Sequence, residues 1–279
     1  MKAKLFSQCA IFTFVALVAS VSANAETIKM YNDTVQAGEP SPNVTIYSGY
    51  LGGGGGFETP SGLLMNYDTG AATGITVTLS AVNVAYSTGT MPNAGTDAYN
   101  VFNGIVNLDA SASYNNSGLA TSYTVTFTGL DPTKSYEFIT TANRNSSSYA
   151  GDGSSSRWAK FSITGADTYT NASSSGVTVI SPDVLEMNTG YNTVLGYIIA
   201  WSGITAADGS FTIVSQNVGA GGPGDANRTY LIQGFELIQF DNPVSSTPLP
   251  GALPLFVSGL GALGLLGWRR KKKAAALAA

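Results

Sequence analysis

A serine-rich loop in the middle of the chain contains side chains that could bind a sugar. They are Arg144, Asn145, Tyr149, Arg157 and Trp158. Sugars present flat apolar faces ringed by hydroxyl groups, so an aromatic platform beside planar hydrogen-bonding side chains suits them. These residues form the candidate glycan-binding site, and Trp201 and Arg228 are further candidates elsewhere in the chain.

The same residues also have a purely structural interpretation. Tryptophan is usually well buried, so Trp158 and Trp201 could pack in the core or at its rim. The arginines could instead pair with nearby carboxylates. The sequence leaves both interpretations open.

Catalytic chemistry is limited by missing residue types. The chain has no histidine, which excludes Ser-His-Asp and Cys-His catalysis and imidazole-ligated zinc. Its single cysteine, Cys9, lies near the N-terminus in a segment that we expect to be removed. Carboxylates that could form a glycosidase pair are Glu58, Glu137, Glu186 and Glu236. The spacing of these glutamates selects no pair, and the strand positions of Glu137 and Glu236 favour solvent-facing side chains. With the usual nucleophiles and bases also missing, we expect no enzyme and no cofactor.

Metal and nucleic-acid binding have little support in the composition. Three acidic loops, 151–153, 207–209 and 224–227, could offer oxygen ligands to Ca²⁺, but none matches an EF-hand or a nonapeptide repeat. Residues 26–241 contain six cations and all seventeen acids, which gives a net charge of −11. The cations form no stripe in the sequence, so we expect no nucleic-acid partner.

The segments that must position these residues are predicted to be β-strands. Seven segments alternate apolar with polar or hydroxyl side chains, the repeat of a half-buried strand. They are residues 74–79, 122–127, 135–139, 159–163, 177–180, 209–214 and 230–237. Turn-forming residues separate them, and no stretch has a helical stripe. The pattern predicts an all-β, antiparallel β-sandwich of jelly-roll type, one sandwich in preference to two. We expect three glycine- or serine-rich loops at its rims: 52–56, 143–156 and 217–227.

One predicted corner is more specific. Leu130-Asp131-Pro132 joins two strands, and Tyr136 follows it in the next strand. In sandwich domains a tyrosine placed after such a corner folds over the turn and bonds its hydroxyl to the backbone. We expect Tyr136 to do so here.

The N-terminus has the features of a signal peptide. Lys2 and Lys4 precede a short apolar segment, and the small residues Ala23 and Ala25 suit a signal peptidase. We expect residues 1–25 to be removed and the body of the protein, residues 26–241, to be exported.

The C-terminus combines a proline motif, an apolar segment and a cationic cluster. The linker 242–250 ends in Thr247, Pro248, Leu249 and Pro250. As a helix, the apolar segment 251–268 would extend about 27 Å, close to the thickness of a bilayer core. The tail 269–279 begins with Arg269, Arg270, Lys271, Lys272 and Lys273. Because such cations resist translocation, we predict a transmembrane helix with a cytoplasmic tail.

This C-terminus resembles the sorting tail of PEP-CTERM proteins. Leu249 stands where that family has its namesake glutamate, and Thr247 where it usually has valine. The resemblance implies processing near Pro248–Pro250 by an exosortase, a membrane cysteine protease-transpeptidase of Gram-negative bacteria that make exopolysaccharide. The body would then be released from the cell or attached to its surface. A permanent anchor, as in a simply anchored adhesin, predicts the same topology.

Residues 130–237 resemble the galactose-binding-like sandwiches found in many such proteins. The matching features are the corner with Tyr136, Arg144-Asn145, Arg157, the 207–209 turn and Tyr230-Leu231. Together the resemblances imply an exported, non-enzymatic protein of the extracellular polysaccharide or biofilm matrix, either structural or weakly glycan-binding. A carboxylate-dependent polysaccharide-active enzyme is the alternative.

Overall fold

The computed structural model describes residues 27–34, 41–48, 60–114 and 119–241. The predicted signal peptide with Ala23 and Ala25, the linker and proline motif, the apolar segment 251–268 and the cations from Arg269 onward lie outside the described residues, as do Glu58 and the loop 52–56. Within the part described, no helix is long and apolar enough to span a bilayer.

The described residues form fourteen strands and two short helices. In chain order they are β1 (Thr27–Asp33), β2 (Ser61–Met65), β3 (Ala72–Val82), β4 (Val84–Thr88), α1 (Asp97–Phe102), β5 (Ala110–Tyr114), β6 (Ser122–Thr128), β7 (Ser135–Thr141), β8 (Trp158–Thr164), β9 (Thr168–Asn171), β10 (Thr178–Ser181), β11 (Val184–Asn188), α2 (Asn192–Leu195), β12 (Ile199–Thr205), β13 (Ser210–Asn217) and β14 (Gly234–Phe240). A single 3-10 turn, Ser147–Tyr149, lies between β7 and β8.

The strands form two large antiparallel sheets and a small ribbon. One sheet has five strands in the order β1-β14-β7-β12-β9, and the other has seven in the order β10-β11-β8-β13-β6-β3-β2. Strands β4 and β5 form the ribbon. The first strand pairs with the last, with Thr27 opposite Phe240. Both therefore lie at the same end of the molecule, which we call the terminal end.

The two large sheets face each other across a shared apolar core. Phe127 and Phe211 come from the seven-stranded sheet, and Phe138 and Phe235 come from the five-stranded sheet. The ring centroid of Phe127 is 4.8 Å from that of Phe211, 5.3 Å from that of Phe235 and 5.8 Å from that of Phe138. The fold is thus all-β and sandwich-like, which confirms the predicted antiparallel class.

The outer faces of the two sheets differ. On the five-stranded sheet, Ile139 and Ile238 form a second apolar cluster with Phe102 of helix α1. On the seven-stranded sheet, by contrast, hydroxyl side chains face outward. Thr78, Thr126, Thr212 and Thr164 lie opposite one another on four neighbouring strands. One sheet is therefore covered on both faces, and the other on one face only.

The predicted tyrosine corner is confirmed. The backbone N–H of Asp131 donates to the Tyr136 hydroxyl oxygen at 2.8 Å, and the hydroxyl lies 3.3 Å from the Asp131 carbonyl oxygen. Tyr136 is fully buried. The corner lies at the terminal end, because Ser135 of β7 pairs with Phe240.

The last predicted strand was too long. Strand β14 begins at Gly234, and residues 230–233 precede it. Tyr230 forms an isolated bridge with Ser113, and the N–H of Leu231 donates to Ala112 of the β4-β5 ribbon. These residues are buried and mostly apolar like a core strand, but part of their backbone bonds to the ribbon instead of the large sheet.

Candidate functional site

Three arginines and three tyrosines meet at the end of the molecule opposite the terminal end. Strand β5 contributes one tyrosine, the β7-β8 connection contributes two arginines and a tyrosine, and the segment before β14 contributes the rest. The residues are Tyr114, Arg144, Tyr149, Arg157, Arg228 and Tyr230, and we call them the Arg–Tyr cluster. Every arginine of residues 26–241 belongs to it.

Arg157 lies at the centre of the cluster. Its guanidinium carbon is 4.4 Å from the ring centroid of Tyr149 and 5.7 Å from that of Tyr114. Its Nη1 donates to the carbonyl oxygens of Ser155 and Ser156 and lies 3.6 Å from Oδ2 of Asp225. Only 3% of Arg157 is exposed. The aromatic faces of Tyr149 and Tyr114 and the Asp225 carboxylate stabilise this deeply buried cation.

Arg144 and Arg228 flank this centre and are more accessible. The guanidinium carbon of Arg144 is 5.8 Å from the Tyr230 ring centroid, and its Nη1 donates to Ser87 Oγ at 2.6 Å and to the Thr88 carbonyl at 2.7 Å. Arg228 lies 5.5 Å from the ring centroid of Tyr114, and its side chain is 48% exposed. The ribbon strand β4 therefore fixes one arginine, while the other is half in solvent.

The tyrosines join the three arginines into one group. Tyr230 is buried, and its ring centroid is 6.3 Å from those of both Tyr114 and Tyr149, which are half-buried. Burial raises the pKa of Tyr230 to about 12, even though the nearby charge of Arg144 opposes the shift. Tyr230 is thus a neutral ring at neutral pH, against which a cation can pack.

A glycine allows the loop to pack this closely. A Cβ atom at Gly190 would lie 2.4 Å from the Cβ of Tyr149 and 2.9 Å from the Cβ of Arg157. Asn188 supports the same loop, because its Nδ2 donates to the carbonyl oxygen of Tyr149 at 2.9 Å. The turn after β11 therefore requires a residue without a side chain where it contacts the cluster.

Two of the predicted rim loops meet at the cluster. The N–H of Gly224 donates to the Asp152 carbonyl at 3.1 Å, and the N–H of Asp225 donates to the Ser156 carbonyl at 3.0 Å. Loops 143–156 and 217–227, which are far apart in the chain, are therefore joined beside the arginines.

The structure brings together some of the sequence-predicted residues and separates others. Arg144, Tyr149 and Arg157 meet in the cluster, and Arg228 joins them. Asn145 is exposed directly after Arg144. The half-buried Trp158 opens β8, and its indole N–H donates to the Gly151 carbonyl at 2.7 Å. Trp201 is fully buried in the core, so the structural interpretation holds for that residue.

The sequence did not reveal the roles of Tyr114 and Tyr230. Tyr114 lies at the end of a strand of small residues, and Tyr230 had been predicted to belong to the last strand. Only the bridge between the ribbon and the segment before β14 brings them together. Neither tyrosine carries a local signal that would have identified it.

Of the carboxylates considered for catalysis, the three that the structure describes do not all share one sheet. Glu186 belongs to the seven-stranded sheet, whereas Glu137 and Glu236 lie on the five-stranded sheet. The expectation that Glu236 faces solvent was wrong, because only 3% of it is exposed. The Tyr31 hydroxyl donates to its Oε1 at 2.5 Å, and Lys29 lies 3.7 Å away. Burial raises the pKa of all three glutamates.

The buried Glu236 gives the protein a testable pH dependence. Because its pKa is raised above the value of about 4.3 in an unfolded chain, the folded state binds this proton more tightly. The resulting stability is fully present below the unfolded pKa and is lost as the pH rises through the folded pKa. We expect Glu236→Gln to weaken this decline, since the amide cannot ionise and its oxygen can still accept from Tyr31. Urea unfolding from pH 4 to pH 8 measures the difference.

Asp131 provides the control of opposite sign. Hydrogen bonds from Thr133 lower the pKa of Asp131, so the stability that it contributes is present at higher pH and is lost on acidification. In a plot of stability against pH, Asp131→Asn should therefore weaken the loss of stability on the acid side. If the advantage of wild type over Glu236→Gln grew with rising pH, the assignment to Glu236 would be contradicted.

The three acidic loops do not form a recognisable metal site. Asp208 accepts from the N–H of Ser210, as in a local turn, and Asp225 pairs with Arg157 and Arg228. Across the described ranges, no group of three or more His, Cys, Asp or Glu side chains is placed to hold a metal ion.

Comparison with known proteins identifies no relative. No protein-family model, no curated protein and no solved structure matches the chain. The Arg–Tyr cluster combines cations, aromatic rings and hydrogen-bond donors in one place.

Proposed function

We propose that this chain is an exported, non-enzymatic protein of the extracellular polysaccharide matrix that binds glycans through the Arg–Tyr cluster. The observation that carries this proposal is the convergence of all three arginines of residues 26–241 on tyrosine rings at one end of the body. Planar cationic donors beside aromatic rings can bond sugar hydroxyls and pack against sugar faces.

The proposed route to the matrix depends on the two ends of the chain. The signal peptide, residues 1–25, would export the body, and the proline motif with segment 251–268 would present it to an exosortase. Mass spectrometry of the mature protein tests this directly. A C-terminus near Pro248–Pro250 supports sorting in a Gram-negative bacterium, whereas recovery of intact Arg269 to Lys273 on the surface protein indicates a permanently anchored adhesin.

The proposed architecture is a jelly roll with added strands. Taken in chain order, β1, β6, β7, β8, β11, β12, β13 and β14 would be its eight strands. Numbered from one to eight, their neighbour orders are 1-8-3-6 in one sheet and 2-7-4-5 in the other. Such an arrangement of interlocked Greek keys supports the jelly-roll assignment, with β2, β3, β9, β10 and the ribbon as additions.

A carboxylate-dependent polysaccharide-active enzyme is the alternative function. A glycosidase needs two carboxyl groups that face the same scissile bond. Glu186 lies on a different sheet from Glu137 and Glu236. Glu137 is near enough to Glu236 to raise its pKa, but the Glu236 carboxylate is buried and already accepts from Tyr31. These positions favour binding over hydrolysis as the proposal. Release of reducing sugar ends from the producing organism's polysaccharide would support the enzyme instead.

Binding can be tested with two matched variants. Arg228→Gln removes the cation of a partly exposed ion pair within the cluster, and Lys134→Gln removes one at the terminal end, where Lys134 lies 2.6 Å from Asp241. Because a charge-assisted hydrogen bond is worth about 1.5–3 kcal/mol, we expect roughly a tenfold or greater loss of retention on the organism's exopolysaccharide for Arg228→Gln alone. Equal retention of both variants would exclude the cluster as the binding site.

A further inference from the structure

The charge of the cluster points to a particular class of glycan. We propose that the Arg–Tyr cluster binds the carboxylate groups of an acidic, uronate-containing polysaccharide. This inference rests on the proposed glycan-binding function and specifies the chemistry of its ligand.

The cluster has more positive than negative charge. Arg144, Arg157 and Arg228 contribute three cations. Among the described residues, the carboxylate within ion-pair distance of these arginines is that of Asp225, which pairs with Arg157 and Arg228. Asp152 belongs to an adjoining loop, but it is exposed and forms none of the ion pairs found in the described part of the chain. The body as a whole carries a net charge of −11, so this local excess is opposite in sign to its surroundings.

Among the described residues, no carboxylate forms an ion pair with Arg144. Its hydrogen bonds to them all leave from Nη1, toward Ser87 and Thr88. A guanidinium has five N–H donors in a fixed planar fork, which matches the two oxygens of a carboxylate. The ribbon therefore holds Arg144 by one nitrogen and leaves donor capacity for a ligand.

The buried centre of the cluster indicates a ligand independently. Arg157 is 97% buried, and its Nε has no hydrogen-bond partner among the described residues. A buried charged donor without a partner is costly, and such a group in a native structure needs an explanation. A carboxylate bound among these rings would add negative charge beside the buried Arg157 cation, and electrostatic interactions are strong where water is excluded.

The aromatic and amide groups favour a sugar acid over a bare anion. Tyr114 and Tyr149 are half-buried beside the arginines, and Asn145 is exposed next to Arg144. The tyrosine edges offer apolar contact to a pyranose ring, and the amide can bond its hydroxyl groups. Long-range attraction cannot supply the binding energy, since the acidic body repels polyanions, so recognition has to come from these short-range contacts.

One polysaccharide backbone in two charge states tests the proposal. Polygalacturonate and its fully methyl-esterified form have the same sugar rings, but only the first carries carboxylates. Isothermal titration of the mature protein, processed at both ends, gives both affinities. We expect at least tenfold tighter binding of the acid form, and loss of this preference in Arg144→Gln and in Arg228→Gln. Lys134→Gln should keep the preference, and thermal melting checks that each variant is folded.

Each outcome separates the two proposals. Equal binding of the two forms would leave glycan binding intact and overturn the carboxylate assignment. Dextran sulfate bound as tightly as polygalacturonate would reduce the cluster to a general polyanion surface and would also overturn it. Failure to bind either form overturns the uronate proposal, while retention on the organism's own polysaccharide decides the proposed function separately.

Discussion

Phe127→Ala should lower the free energy of unfolding by about 3–5 kcal/mol. Phe127 is fully buried where the sheets meet, and its ring contacts Phe211 on its own sheet and Phe138 and Phe235 on the other. Truncation leaves a cavity that the surrounding strands cannot close, and it removes the aromatic pairs, each worth about 0.5–1.5 kcal/mol beyond buried area. Urea or guanidinium unfolding at neutral pH measures the loss.

Tyr86→Ala is the matched control for this prediction. Tyr86 lies on the ribbon strand β4 and is 50% exposed, so its truncation to alanine makes no buried cavity. We expect a change within about 0.5 kcal/mol, as for most surface substitutions. Similar losses for Phe127→Ala and Tyr86→Ala would mean that the two sheets do not share the core described above.

Arg157→Met should be the most damaging change in the Arg–Tyr cluster. Methionine roughly fills the volume of the side chain but removes the cation between Tyr149 and Tyr114 and the partner of Asp225. Breaking a buried ion pair by removing one partner costs about 3–5 kcal/mol. We expect the free energy of unfolding to fall by about 3 kcal/mol, the lower end of this range, because Asp225 is partly exposed and still has Arg228 at 3.7 Å. Unfolding experiments and binding to polygalacturonate both provide readouts.

Two companion variants separate charge from shape. Arg157→Lys keeps the cation but loses the planar group that packs on the rings, so it should be destabilised, though less than Arg157→Met. The double variant Asp225→Asn, Arg157→Met should lose less stability than the sum of the two single variants. In the double variant, no Asp225 carboxylate is left without its Arg157 partner. A wild-type stability for Arg157→Met would show that the buried arginine is not required for folding.

The seven segments predicted from alternation correspond to β3, β6, β7, β8, β10, β13 and β14, and the other seven strands of the described residues were not among them. Thr124 and Thr126 of β6 face outward while Val125 and Phe127 face the core, and this alternation is visible in the sequence. Strand β12 was missed because its outward residue Ala200 is also buried, against the second cluster, so the pattern becomes continuous. Helix α1 was missed because six residues are too few to display a helical stripe.

The candidate site was only partly predictable for a related reason. Arg144, Tyr149 and Arg157 lie in one loop, and their residue types alone suggested a binding site. Tyr114 and Tyr230 reach it through the pairing of the ribbon with the segment before β14, a long-range contact that no local pattern encodes. The burial of Glu236 was missed likewise, because the Tyr31 that covers it comes from the opposite end of the chain.

The pairing of the first strand with the last determines how a tethered molecule would be oriented. Thr27 and Phe240 lie side by side at the terminal end. Gly234, at the other end of β14, pairs with Thr141, where β7 ends and the connection that carries Arg144 begins. Strand β14 is seven residues long from end to end, so Gly234 and Phe240 are about 20 Å apart. If the linker after Asp241 holds the protein to an envelope, the arginines would face outward, away from the lipid, where a passing polymer can reach them without obstruction.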